Sequence, residues 1–146
     1  MEVWTSTPVL TGLVAVTVVA AAALAFGGSL ERRGAGWIWA AWVMTPLLQA
    51  LTGEFDPALL FGVVDATMLV VLAGLAWRSN RTWPVAAVAA QALSLAIDLL
   101  RLVVPMGSYV YVTALTVSAY ALLAALAAGT WTSWRRRRAA GLGIPS

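Results

Sequence analysis

The sequence predicts an all-α integral membrane protein, a bundle of five transmembrane helices, and three observations support this. Hydrophobic residues make up 62% of the 146 residues and charged residues only 10%, which excludes the composition of a water-soluble domain. The mean hydropathy is +0.88. Apolar runs of membrane-spanning length recur along the whole chain. Residues 1–134 are therefore predicted to form one domain, followed by a basic, disordered tail at residues 135–146.

The first three predicted spans are bounded by glycine, proline or charged residues. The first, residues 8–26, is a run rich in Ala and Val. A loop is predicted at residues 27–36, followed by the second span at residues 37–52. This span contains Pro46, which we expect to bend the helix because proline lacks the N–H of a helical hydrogen bond. The third span, residues 58–77, follows an acidic turn.

The last two predicted spans occupy the C-terminal half of the chain. Residues 83–104 follow a basic turn and end before Pro105, which cannot continue a helix. Residues 109–130 form the fifth span and lead into a run of arginines. None of the connections is long enough to fold separately, so we expect one helical bundle.

The basic residues predict the orientation of the bundle, because arginines flanking spans remain on the cytoplasmic side. With five spans, the arginines outside the spans all fall on one side: Arg32, Arg33, Arg78, Arg81 and Arg135 to Arg138. The other side carries Glu2, Glu54 and Asp56. The N-terminus is therefore predicted outside and the C-terminus inside a bacterial inner membrane. A cleaved signal peptide, with Ala23-Leu24-Ala25 at its end, is the alternative interpretation of the first span.

Aromatic residues near the ends of the spans are typical of the belts at membrane–water interfaces. The cytoplasmic belt is predicted from Trp37, Trp39, Trp77, Trp83, Trp131 and Trp134. The outer belt is predicted from Trp4, Phe55, Tyr109 and Tyr111. A Trp-lined ligand or pigment site is the alternative interpretation of the cytoplasmic group.

Polar residues within three spans recur at intervals of three and four, which places each set on one helix face. The set in the second span is Trp42, Thr45, Gln49 and Thr52. The set in the fourth is Gln91, Ser94, Asp98 and Arg101. The set in the fifth is Tyr109, Thr113, Thr116 and Tyr120. We expect these faces to line one polar centre in the outer half of the bundle, because polar side chains in membranes face the bundle interior.

The third span adds Asp65 to this predicted cluster, beside a ridge of small residues at Ala58, Gly62 and Ala66. Asp98 and Arg101 are spaced to pair on their own helix. Asp65 either joins Arg101 or stays protonated, because burial and the charge of Asp98 disfavour a second anion. Three interpretations remain open for the cluster: a hydrogen-bonded knot that sets helix register, a site where protonation or ligand binding is coupled to transport or signalling, and contact with another subunit.

The residue types that the chain lacks limit its chemistry. It contains no Cys and no His, and all nine of its basic residues are Arg. Thiol nucleophiles, imidazole bases, lysine Schiff bases and the usual ligands of haem, zinc or copper are thereby excluded. The sequence predicts neither enzymatic activity nor a cofactor or metal. The alternative is an enzyme acting on a lipid or isoprenoid, for which Asp65, Asp98 and Arg101 are the available groups.

The run Arg135, Arg136, Arg137 and Arg138 predicts contact with anionic lipids at the cytoplasmic face, or with a partner protein. The net charge of +3 comes largely from this run, so it does not indicate binding to nucleic acid.

Residues 78–131 carry a pattern of scattered elements: Arg81-Thr82-Trp83-Pro84, then Gln91, Pro105, Tyr120 and Gly129-Thr130-Trp131. In this pattern the chain resembles small bacterial polytopic membrane proteins. The resemblance implies a membrane-embedded helical fold and brings no activity with it.

Three functions are compatible with these features. The first is an accessory or assembly subunit of a larger membrane complex, which the absence of catalytic residue types favours. The second is a small oligomeric transporter or channel that uses Asp65 and Asp98 as ion or proton sites. The third is a phage-type membrane-permeabilising protein, suggested by the small size and the basic C-terminus. Expected partners are the lipid bilayer and either other membrane subunits or further copies of the chain.

Overall fold

The computed structural model describes residues 7–52 and 58–141, except for the side chains of residues 7–9, 49 and 58. These residues form five helices: α1 (Thr7–Phe26), α2 (Ser29–Thr52), α3 (Ala58–Trp77), α4 (Thr82–Val103) and α5 (Ser108–Gly141). The all-α prediction is confirmed for the described residues. Helices α4 and α5, and α3 from Leu59 onward, are long and apolar enough to cross a membrane. The outer-belt residues Trp4 and Phe55, and the acidic residues Glu2, Glu54 and Asp56, lie outside the described residues.

Helix α2 begins at Ser29, so the predicted loop at residues 27–36 is wrong over most of its length. The connection between α1 and α2 consists of Gly27 and Gly28 alone. A capping interaction explains why α2 begins earlier than predicted. The backbone N–H of Gly28 donates to Oε2 of Glu31 at 2.8 Å, the reciprocal half of a capping box. The first charged turn of α2 is thereby stabilised as helix.

Helix α5 continues well past the predicted end of the fifth span at residue 130 and reaches Gly141. The sequence predicted a disordered tail from residue 135, and the structure differs from this up to Gly141. Arginine and alanine are both good helix formers, and cations near a helix C-terminus interact favourably with its dipole. Residues 142–146 of the predicted tail lie outside the described residues.

The five helices form a closed ring in which each packs against its neighbours in chain order and α5 returns to α1. Helix α2 also contacts α5 across the ring. The chain reverses direction at each connection, so α1, α3 and α5 end where α2 and α4 begin. We call this the Glu31 end of the bundle, and the opposite end the Asp98 end.

The two halves of the bundle are filled differently. The buried apolar core lies toward the Glu31 end and comprises Val16, Ala20, Ala23, Ala35, Ile38, Met68, Leu72, Trp83, Ala87, Ala90, Leu122, Leu123 and Leu126. Toward the Asp98 end the helices surround a partly open cavity instead.

Candidate functional site

A central cavity of about 550 Å³ occupies the half of the bundle toward the Asp98 end. All five helices contribute to its wall. Most of the lining is apolar or aromatic, including Trp42, Phe61 and Tyr120. Its size and lining are typical of small-molecule sites, which are mostly apolar with a few polar groups.

Both charged residues that line the cavity are acidic, namely Asp65 of α3 and Asp98 of α4. Their carboxyl groups are close enough to interact directly. Gln91 of α4 donates from Nε2 to the backbone carbonyl of Asp65 at 3.4 Å, which links the two helices beside the carboxyl pair. The sequence predicted that Asp65, Asp98 and Gln91 would come together, and the structure places them in this arrangement.

Arg101 lies near the end of α4 and is absent from the lining of the cavity. Nη1 donates to the carbonyl of Met106 at 3.1 Å, and the guanidinium lies over the ring of Tyr111, 4.3 Å from its centroid. The hydroxyl of Tyr111 donates to Oδ1 of Asp98 at 2.6 Å. Tyr111 therefore connects Arg101 to Asp98, and the shared use of Arg101 by Asp65 and Asp98 stays a prediction.

The face that α5 turns inward differs from the predicted one. Tyr111, which we assigned to the outer aromatic belt, is buried with 3% of its surface exposed, whereas Tyr109 is 84% exposed. Thr113 and Thr116 are also exposed, and their hydroxyls donate to carbonyls one turn earlier in their own helix. Thr116 and Tyr120 still reach the cavity wall. The buried polar residues of α5 are Ser118, Thr130 and Ser133.

Ser94 faces the bundle interior as predicted, but its hydrogen-bond partner was not predicted from the sequence. It is buried and donates to the hydroxyl of Ser118 at 3.0 Å, joining α4 to α5. Gln49 lies in α2, but its side chain is outside the described residues, so its place in the cluster stays a prediction.

A second polar cluster, which sequence reasoning missed, lies at the Glu31 end. Glu31 has no exposed surface. Its Oε1 accepts from Arg81 Nη1 at 2.7 Å and from Trp83 Nε1 at 2.9 Å. Arg81 also donates to Ser133 of α5. We call these four residues the Glu31 cluster; they join α2, α4 with its N-cap, and α5 at one point.

Charge, burial and hydrogen bonds act together on Glu31. Burial raises the pKa of its carboxyl group. Hydrogen bonds from the backbone and from Ser133, together with the charge of Arg81, outweigh this effect. The net result is a pKa below the ordinary value of 4.5, so Glu31 is ionised at neutral pH.

Trp83 belongs to the apolar core on the Glu31 side of the cavity, and not to the interfacial belt predicted for it. It is 5% exposed, whereas Trp37, Trp77 and Trp131 are more than half exposed. Two glycines accommodate its ring, because a Cβ atom at Gly34 or Gly129 would overlap the indole. Gly34 of α2 and Gly129 of α5, which lie eight and nine residues from the predicted polar positions Trp42 and Tyr120, were the available signal for this packing.

The arginines that follow the fifth predicted span lie on the exposed C-terminal turns of α5. Arg137 donates to the carbonyl of Phe26, the last residue of α1, and Arg138 lies over the ring of Trp134 at 4.4 Å. Among the residues that the structure describes, no group of three or more acidic side chains is arranged to hold a metal ion.

Comparison of the chain with protein-family models, with curated proteins and with solved structures found no match.

Proposed function

We propose that this chain is a small transport protein of the bacterial inner membrane that binds a cation in its central cavity. The observation that carries the proposal is the charge of the wall. Asp65 and Asp98 line the cavity, and no basic side chain is among the described residues that line it. A carboxyl pair at membrane depth requires a proton, a cation or a paired side chain to balance it.

The remainder of the lining selects the kind of cation. Trp42, Phe61 and Tyr120 surround the carboxyl pair with aromatic surface, and a volume of about 550 Å³ exceeds what a bare metal ion needs. Aromatic faces attract organic cations, most strongly when the site is desolvated. The proposed ligand is a monovalent organic cation with an apolar body, with protons as the competing occupant of the two carboxyl groups.

The proposed topology has five spans, with the N-terminus and the Asp98 end outside and the Glu31 end in the cytoplasm. The distribution of arginines supports it. In this orientation the ligand reaches the cavity from the outside. The apolar core and the Glu31 cluster close the path toward the cytoplasm, so transport requires these contacts to open.

The test is binding of benzyltrimethylammonium to the purified chain in detergent, compared with neopentylbenzene, its uncharged carbon isostere. We expect the cation alone to raise the melting temperature, and Asp65→Asn and Asp98→Asn each to weaken its binding at least about tenfold, as loss of a partly desolvated charge contact implies. Thr113→Val is the control, because Thr113 bonds within its own helix and does not line the cavity. Equal binding of the isostere, or unchanged binding in both Asp variants, would overturn the proposal.

A second candidate function, accessory subunit of a larger membrane complex, is favoured by the C-terminal part of α5. This helix of 34 residues is the longest described, and its last turns carry four exposed arginines. Such a basic helical extension is suited to an acidic partner surface. Extraction of the chain from its native membrane in mild detergent separates the two functions: a stoichiometric partner supports the subunit, and a chain that travels alone or as a symmetric oligomer supports the transporter.

A further inference from the structure

A shallow groove of about 300 Å³ runs between α1 and α5 on the outer surface of the bundle, separate from the central cavity. Its floor and walls are apolar, apart from the hydroxyl of Thr130: Val18, Val19, Ala22, Phe26, Ala127, Thr130, Trp131 and Trp134. Thr130 donates this hydroxyl to the carbonyl of Leu126 in its own helix, so it presents no free donor. The groove therefore suits a hydrocarbon chain.

The groove ends at the arginines of α5. Arg135 follows Trp131, and Arg138 follows Trp134, by one helical turn, so these arginines continue the same helix face. Arg138 is held over the Trp134 ring at 4.4 Å, and the rings of Trp131 and Trp134 stand 5.0 Å apart. An apolar groove, an aromatic pair and two cations thus follow one another along α5.

We propose that this groove binds one anionic phospholipid, with an acyl chain along α1 and α5 and the phosphate at Arg135 and Arg138. The occupant is argued from charge complementarity. Aromatic side chains lie at the level of lipid headgroups, and arginine binds phosphate through a planar fork of donors. Arg137 is already engaged with the carbonyl of Phe26, which holds α1 against α5 and keeps the groove in shape.

This site is independent of the proposed cation cavity, because none of its lining residues is shared with it. It also goes beyond general attraction of a basic surface to anionic membranes. A general attraction depends on the number of arginines at the Glu31 end, whereas a specific binding site depends on the positions of particular arginines.

The experiment is native mass spectrometry of the full chain in detergent with added dioleoylphosphatidylglycerol or dioleoylphosphatidylcholine. We expect one phosphatidylglycerol to be retained per chain in preference to phosphatidylcholine. Arg135→Gln combined with Arg138→Gln should weaken phosphatidylglycerol binding about fivefold for each arginine removed. Arg32→Gln combined with Arg33→Gln is the matched control, because it removes the same charge from exposed positions at the same end and away from the groove. This control should bind as the unmodified chain does.

Ala22→Phe provides a second test, since a phenyl ring at this lining position fills the groove without changing a charge. We expect it to abolish lipid retention while the melting temperature without lipid stays close to that of the unmodified chain. Equal weakening by the two arginine pairs would show a surface attraction and overturn the site. So would retention of two phosphatidylglycerols with no effect of Ala22→Phe, or a second copy of the chain occupying the groove, detected as a doubled mass.

Discussion

A carboxylate without exposed surface, such as that of Glu31, persists as an anion only when donors satisfy its oxygens. Here Arg81, Trp83 and the backbone N–H of Gly28 each donate to its oxygens. In sequence Glu31 lies between Leu30 and two arginines and looks like part of an exposed polar turn. Its side-chain partners Arg81 and Trp83 lie fifty residues or more away in the chain, so no local pattern predicts them.

Glu31→Gln is expected to lower the free energy of unfolding at neutral pH by about 1–3 kcal/mol, because Arg81 keeps its charge and loses its ion pair. Since the pKa of Glu31 is lowered on folding, its contribution to stability is complete above pH 4.5 and disappears as the pH falls below that value, through the folded-state pKa. Melting temperatures in detergent, from neutral pH down into this acid range, measure both effects. The variant should lose less stability on acidification than the unmodified chain. Equal acid losses would contradict this account.

Gly129→Ala is expected to destabilise the bundle, because the added methyl group overlaps the ring of Trp83 and the helix cannot move without disturbing the contact between α4 and α5. Overpacking of this kind costs about 1–3 kcal/mol. Gly74→Ala is the matched control, since Gly74 lies within α3 with open space around its Cβ position. The control should leave stability unchanged or raise it by up to about 1 kcal/mol through helix propensity. Thermal unfolding of both variants in one detergent measures the difference.

At the scale of the element, α5 shows what periodicity resolves and what it does not. The intervals of three and four between its polar residues define a helix, and α5 is a helix. The same intervals fit two faces, one through Tyr109 and Thr113 and one through Tyr111 and Ser118. The threonines can satisfy their hydroxyls within the helix, and this lets them face outward. Tyr111 is buried and donates its hydroxyl to Asp98 on α4.

The hydroxyl contact between Ser94 and Ser118 is expected to couple α4 to α5. A double-mutant cycle of Ser94→Ala and Ser118→Ala should give a coupling energy of about 0.6 kcal/mol, the average for side-chain hydrogen bonds between membrane helices. Thr67→Ala combined with Ser94→Ala is the control pair, since Thr67 is exposed and donates within α3. Additivity in the serine pair would show that the contact contributes nothing to the packing of these helices.

At the scale of the whole molecule, the packing of the interior differs between the two ends of the bundle. The Glu31 end is filled by the apolar core and closed by Trp83, and the Asp98 end contains the cavity with its two carboxyl groups. The contact of α2 with α5 across the ring includes the interaction of Glu31 with Ser133 at the closed end. Under the proposed transport function, the orientation of the bundle determines which compartment supplies the ligand.

The proposed orientation can be tested with single cysteines, because the chain has none of its own. We expect Ser108→Cys, at the first residue of α5 at the Asp98 end, to react with a membrane-impermeant maleimide in intact cells. Asn80→Cys, in the connection at the Glu31 end, should react only after the membrane is opened. Both positions are exposed, so accessibility within the fold is matched. The reverse pattern, or labelling of both residues in intact cells, would contradict the five-span topology.

The sequence by itself determined the helical class, the places where three of the helices begin and end to within a residue, and the meeting of Asp65, Gln91 and Asp98. These follow from general rules: apolar runs define helices, prolines and glycines end them, and polar groups buried in a membrane require hydrogen-bond or charge partners. The start of α2 and the end of α5 were not predicted, because both helices extend beyond the apolar segments. Capping by Glu31 extends α2, and the helix propensity of the arginine run extends α5.

Only the tertiary structure decided which face of α5 turns inward, that Trp83 is a core residue, and that Glu31, Arg81 and Ser133 form one cluster. Each of these depends on partners from other helices that are distant in the chain. It also decided that Arg101 is absent from the lining of the cavity, in which both charged side chains are acidic. The physical reason is that a polar side chain can form a hydrogen bond with any complementary donor or acceptor. The packing of the helices determines which of these groups lies within hydrogen-bonding distance.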